Sequence, residues 1–246
     1  MNRNQMKLIA VAAMVLDHIA VIFLTQETAL WVAFRTLGRI TAPVMCFFLS
    51  EGFIHTSSSR KYLYRLGFFA LISQVPYALA FREVMEWWHP NVMYTLFISL
   101  LCLHVHKFRK SQDAVLILAG LFALTILADW GIIGPLYVMT FYAAGTIKPL
   151  IRMPGFMSRT TPLRFRQVYS FTIVSMIMLA AEYLSAHKTG LPIYTQLYEC
   201  GIFLFIPLLL AYDGKPGSRG PVAKWGFYVF YPLHLFILAG IRMAVH

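Results

Sequence analysis

Apolar runs of membrane-spanning length alternate with short polar segments along this chain, and no other feature limits its fold as tightly. A helix rising about 1.5 Å per residue needs roughly 20 apolar residues to cross a hydrocarbon core. By that ruler nine stretches qualify, at about 6–24, 31–54, 62–81, 91–106, 114–129, 132–149, 168–186, 195–212 and 225–244. The fourth, fifth and sixth are short, and the fifth and sixth are candidates for broken helices. In lipid every backbone amide must be satisfied within the protein, so the expected fold class is all-α, a polytopic transmembrane helical bundle of about nine spans. The composition agrees: 59% of the 246 residues are hydrophobic and 13% charged, with mean hydropathy +0.66. That leaves little material for a separate soluble domain, and a single transmembrane domain over residues 1–246 is expected.

The net charge of +11 would suit a nucleic-acid binder, but the positions of the charges argue otherwise. Sixteen of the 21 basic residues fall in alternate loops: Arg3 and Lys7; Arg60, Lys61 and Arg65; Lys107, Arg109 and Lys110; Lys148, Arg152, Arg159, Arg164 and Arg166; Lys215, Arg219 and Lys224. Lys and Arg in short loops stay on the cytoplasmic side, which puts the N-terminus in and the C-terminus out. The longest polar segment, 148–167, with Pro149, Pro154 and Pro162, is a basic cytoplasmic loop on this reading. Cys46, Cys102 and Cys200 lie in different apolar runs, so no disulfide framework is indicated. Residues 1–25 lack a small-residue cleavage pattern and read as a retained first span.

An ionisable group at membrane depth costs several kcal/mol unless paired, so such groups turn toward the bundle interior and often mark a site. Depth along each span places Asp17, His18, Arg39 and His234 in one layer near the midplane. Adjacent helical residues diverge by about 100°, so Asp17 and His18 take separate partners: Asp17 is expected to pair with Arg39, leaving His18 a free nitrogen to act as a base. A purely structural cluster is the alternative. Pro43, Pro76 and Pro232 free the carbonyls of Arg39, Ile72 and Tyr228, which suggests breaks lining a cavity. Tyr228, Tyr231 and His234 share one face of the last span, where packing explains the tyrosines equally well. Glu51, a helical neighbour of His55 and close in depth to Arg60 and Arg65, is expected to pair at the interface. It lies too far from His18 to touch it and is placed to line the approach of a cytoplasmic ligand. Glu83, Glu86, Trp87, Trp88 and His89 read as an interfacial belt. Cys102, His104 and His106 diverge on a helix, and no metal is expected.

Read in order, the chain carries Lys7-Leu8-Ile9-Ala10, Met14, Asp17-His18-Ile19, Gly38-Arg39, Pro43, Glu51-Gly52-Phe53 and Thr56. It continues with Tyr62, Arg65-Leu66, Phe69-Ala70-Leu71-Ile72-Ser73, Pro76, Asn91, Thr95-Leu96, Asp129-Trp130-Gly131, Gly134, Phe227-Tyr228 and Phe230-Tyr231-Pro232-Leu233-His234-Leu235. This pattern resembles the TraX family of membrane proteins, named for a conjugative-plasmid protein associated with N-acetylation of pilin. It is dense over the first 96 residues and the last span, and looser between about 97 and 220. The resemblance implies a membrane-embedded acyltransferase of the bacterial inner membrane. It would move an acetyl group from cytoplasmic acetyl-CoA to a membrane-associated acceptor such as a pilin N-terminus. On that reading His18 or His234 is the base, with Asp17 and Arg39 completing the catalytic set. Arg39, Tyr231 and Asn91 are oxyanion donors, and Glu51, Asn91, Thr95, Tyr228, Tyr231 and Arg65 contact substrate. The basic loops would hold the CoA phosphates, or serve topology alone.

Neither a Gly-rich phosphate loop nor a zinc-protease histidine pair is present, so phosphoryl transfer and metal-assisted hydrolysis have no support in the sequence. O-acetylation of a surface glycan or lipid differs only in acceptor and stays open. So do a proton-coupled transporter using the same buried charges as a relay, and a structural subunit of a conjugation or secretion assembly.

Overall fold

The computed structural model of the protein describes residues 1–26, 28–82, 87–109, 111–146, 161–188, 193–218 and 220–245. Among them the chain forms ten α-helices: α1 (Arg3–Phe23), α2 (Ala29–Gly38), α3 (Thr41–His55), α4 (Ser59–Ala80), α5 (Val92–Phe108), α6 (Asp113–Ala123), α7 (Ile133–Thr146), α8 (Thr161–Lys188), α9 (Phe205–Ala211) and α10 (Pro221–Val245). A 3₁₀ segment, Ile193–Leu204, leads into α9. The all-α expectation is met, and four segments, Arg3–Phe23, Ala29–His55, Leu163–Lys188 and Trp225–Val245, are long and apolar enough to cross a membrane. Most of the loop at 148–167, together with Glu83 and Glu86, lies outside the described residues.

Side chains and proline positions set the helix ends. Asn2 caps α1 by accepting from Gln5 N (3.0 Å), and Gln5 Oε1 accepts from Asn2 N (2.9 Å), a reciprocal box that satisfies two orphan amides. The second apolar stretch is not one helix: α2 ends at Gly38 and α3 begins at Thr41. Pro43 accounts for the position of that break, because in the first turn of α3 its missing N–H costs no helical bond. Pro76 and Pro232 lie inside continuous α4 and α10. The fifth apolar stretch stops helically at Ala123, and turns carry the chain through Asp129. The eighth begins as a 3₁₀ segment.

Close approaches bring α1, α2 and the 3₁₀ segment together. A Cβ on Gly38 would overlap the Asp17 side chain, and one on Gly201 would overlap the Thr36 carbonyl. Behind them Phe47, Tyr137, Phe141, Phe171 and Phe205 form one interlocked aromatic core joining α3, α7, α8 and α9, each less than 4% exposed.

Candidate active site

The site is assembled from α1, α2, α10 and the turn before α7. His18, on the buried face of α1 that also carries Met6, Ala10 and Met14, is 8% exposed. Its Nδ1 lies 2.8 Å from His234 Nε2, and His234 Nδ1 lies 3.0 Å from the Phe230 carbonyl. These two contacts fix the proton order for neutral rings. A carbonyl only accepts, so His234 Nδ1 donates to Phe230 O, His234 Nε2 must accept, and His18 Nδ1 donates to it. The lone pair of the pair is thereby left on His18 Nε2. Packing holds the two rings in place: their planes lie 10° apart with centroids 5.0 Å apart, the Phe230 ring lies parallel to His234 at 5.0 Å, and Phe81 meets His18 edge-on at 5.2 Å.

His18 lines a cavity of about 100 Å³ with Asp17, Arg35, Arg39, Asp129 and Tyr231, against an apolar wall of Met14, Val21, Met45 and Phe81. His234 stands behind His18 and does not line this cavity. The layer of Asp17, His18, Arg39 and His234 is therefore assembled in space, but its pairing differs from the expectation. Asp17 pairs with Arg35, whose Nη1 donates to Oδ1 and Oδ2 at 2.8 and 2.9 Å. Arg39 instead has its Nε 3.3 Å from Glu199 Oε2. The reason is the break before α3. With α2 a separate short helix packed on α1, Arg35 sits inside the bundle, whereas one straight helix over 31–54 would leave it near the membrane boundary. Both guanidiniums lie over the Tyr198 ring, at 4.9 and 5.0 Å, and Arg39 also lies 5.5 Å from the Trp130 ring.

Trp130 has a backbone φ of 65°, in the left-handed region that a bulky side chain rarely occupies, and Gly131 follows at 41°. Several bonds hold this turn: Asp129 N donates to Pro90 O (3.0 Å), and Thr95 Oγ1 donates to Asp129 O (2.5 Å). Thr95 is thus a positioning residue for Asp129. Asn91 likewise supports structure, because its Oδ1 caps α5 through Met93 N and Tyr94 N, while its Nδ2 donates to Ala70 O (2.9 Å) and Gln74 Oε1 (2.7 Å). Both amide hydrogens being used, Asn91 is no free oxyanion donor. A second cavity of about 590 Å³ adjoins the first, sharing Arg39, Asp129 and Trp130 and adding Glu182 and Glu199.

The remaining candidates gather toward the other end of α1. Glu51 accepts from Tyr212 OH at 3.0 Å and from Arg3 Nη2 at 3.1 Å, in place of the expected interfacial pairing near His55, Arg60 and Arg65. Arg65 lies over the rings of Tyr62, Trp225 and Tyr228, at 5.2, 5.6 and 5.1 Å. Tyr228 therefore belongs to this group, whereas Tyr231, 1% exposed, belongs to the His18 cavity. Cys102 is buried between α5 and α6, His104 bonds to Ser59 (3.1 Å) and His106 packs on Tyr142. Sequence reasoning did not single out Arg35 or Glu199, and met Asp129 only within the family pattern. For Glu199 and Asp129 the available signal was an acidic residue within an apolar stretch.

The family model described as TraX protein matches residues 2–242. A curated relative, "Probable fimbrial assembly protein FimC, serogroup H1" of Dichelobacter nodosus, is 32% identical over 262 residues, covering 99% of this chain and 99% of the relative. No solved structure matches the chain. Nearly the whole length is accounted for by one family and by a relative of the same extent, and this chain belongs to the TraX family.

Proposed function

We propose that this chain is a multi-pass inner-membrane acyltransferase that moves an acetyl group from acetyl-CoA to an amine on a membrane-associated acceptor, with His18 as the base. The observation that carries the reading is the ordered proton chain from His18 to His234 to the Phe230 carbonyl, which leaves His18 Nε2 unprotonated beside a small charged cavity. His18 would take the proton of the attacking amine, His234 would stabilise the imidazolium by accepting from its Nδ1, and as the amide C–N bond forms and the thioester C–S bond breaks the proton would pass to the departing coenzyme A thiolate. Arg35 and Arg39 supply positive charge near the oxygen that becomes anionic in the tetrahedral step.

The acyl donor fits this arrangement. A cavity of about 100 Å³ is in keeping with an acetyl group and small for a nucleotide, which on this reading lies outside it. Arg3 and Lys7 lie near the start of the same helix, and the eleven residues from Lys7 to His18 correspond to roughly 16 Å at about 1.5 Å per residue. That separation is comparable to the extended pantetheine arm of coenzyme A. Arg3 and Lys7 are the residues that would hold its phosphates. Positive charge at this end also supports a cytoplasmic N-terminus, because the backbone of Arg3 bonds to Lys215 and gathers two basic segments on one face.

An amine acceptor is favoured over a hydroxyl by the adjoining cavity, whose Asp129, Glu182 and Glu199 carboxylates would attract a protonated amine. The relative's description as a fimbrial assembly protein is compatible with a pilin-like peptide as that acceptor. The test is incubation of the purified protein with radiolabelled acetyl-CoA and membrane extract, comparing wild type with His18→Ala and His234→Ala. Wild type is expected to label an acceptor; His18→Ala should lose about 10²–10⁴-fold of that activity, and His234→Ala less. Labelling that survives both substitutions in folded protein overturns the assignment.

A further inference from the structure

The outward face of α4 carries a hollow that none of the acyl-transfer chemistry uses. Along this helix Leu66, Ala70, Ser73 and Tyr77 point into the bundle, while Tyr64, Phe68, Leu71 and Val75 are 59–78% exposed. Between that face and α5 lies an apolar groove of about 910 Å³, floored by Gly67 and walled by Phe68, Leu71 and Phe97. At Gly67 the Phe97 ring packs directly on the α4 backbone, since a Cβ there would come within 3.1 Å of it. The hollow continues past Leu71 and Phe97 into a second one of about 660 Å³ that reaches Trp87 and Trp88, residues typical of a membrane boundary.

Charge at one mouth identifies the occupant. Arg60 and Arg65 both line the groove there, and among the described residues neither forms an ion pair with a carboxylate. Arg65 is held by aromatic faces, which orient a guanidinium without neutralising it. From Arg60 to Leu71 the helix rises roughly 17 Å, about half of a 30 Å hydrocarbon core, the depth of a single leaflet. Two cations at the headgroup level, with one leaflet's depth of a longer apolar trough leading away from them, match an anionic phospholipid. A protein helix would need a broader face and no paired cations at its end. We infer that this groove is a specific anionic-phospholipid site, one acyl chain lying along Gly67, Leu71 and Phe97 and the phosphate meeting Arg60 and Arg65.

The site is tested by exchange into nanodiscs of equal phosphatidylglycerol and phosphatidylcholine, followed by native mass spectrometry of the released protein. Wild type should retain one phosphatidylglycerol per chain in preference to phosphatidylcholine. Arg60→Gln should lower that preference about fivefold, the effect of one cation near an anionic surface. Leu71→Trp, which fills the trough from an exposed position and spares the core, should abolish retention. The control Leu116→Trp, at another exposed apolar position, should not. Equal retention of the two lipids by wild type, or retention unchanged in Leu71→Trp, means an ordinary annular lipid and overturns the site. Capture of a membrane peptide in place of lipid overturns it as well. Acetyl transfer is measured separately, so either inference can fail alone.

Discussion

At the scale of single residues the chemistry depends on which groups share a charge. Asp17 and Arg35 are 20% and 14% exposed at the side chain, so removing one partner strands the other in a poorly solvated layer. Arg35→Ala should cost about 3 kcal/mol of stability, read as a loss of thermal stability in detergent. A double-mutant cycle on Asp17 and Arg35 should give a larger coupling than one on Asp17 and Arg39; equal couplings would contradict the observed pairing. On the proposed reading His234 acts on its neighbour, not on substrate. Its substitution should lower the rate of acetyl transfer more than it raises the KM for acetyl-CoA, because it orders the His18 proton without lining the cavity.

At the scale of elements, the junction of α1 with α2 and the turn before α7 shape the site. Gly38→Ala places a methyl where the Asp17 side chain now lies, and should cost about 1–3 kcal/mol with loss of activity, since α2 must move away from α1. Asn91 combines an α5 cap with two bonds to α4. Asn91→Ala should therefore cost more than the ~1 kcal/mol of an ordinary cap, because Gln74 and the Ala70 carbonyl also lose a partner. Thermal unfolding of each variant in detergent measures both costs. A change of under about 0.5 kcal/mol in Gly38→Ala would show that the two helices can separate freely.

For the whole molecule, the first residues are fastened to the segment that follows α9. The terminal ammonium donates to Ala211 O (2.8 Å), Asp213 N donates to Met1 O (2.9 Å), and Asn4 Nδ2 donates to Ser218 O (3.0 Å). Arg164 of α8 donates to the Leu209 and Tyr212 carbonyls nearby. These contacts place Ser218 on the same face as the N-terminus. In a Cys200→Ala background, a Ser218→Cys variant should react with a membrane-impermeant maleimide in inverted vesicles but not in intact cells. Labelling in intact cells would reverse the proposed orientation. The two remaining native cysteines, Cys46 and Cys102, are buried and should stay silent.

The sequence by itself determined the all-helical class and the spanning length of its apolar runs, because long apolar runs satisfy their own amides as helices. It also identified the polar layer, since Asp17, His18, Arg39 and His234 stand out wherever an apolar run is interrupted by charge. Their order along each span fixed depth, and depth alone brought them into one plane. Only the tertiary structure decided who pairs with whom. Depth carries no information about azimuth, and a helix break that begins α3 near Pro43 brought Arg35 onto Asp17 and left Arg39 to Glu199. The same holds for Asn91 and Thr95, whose residue types suit a ligand as well as a cap. Their bonds to α4 and to the Asp129 turn exist only once α5 is packed between them.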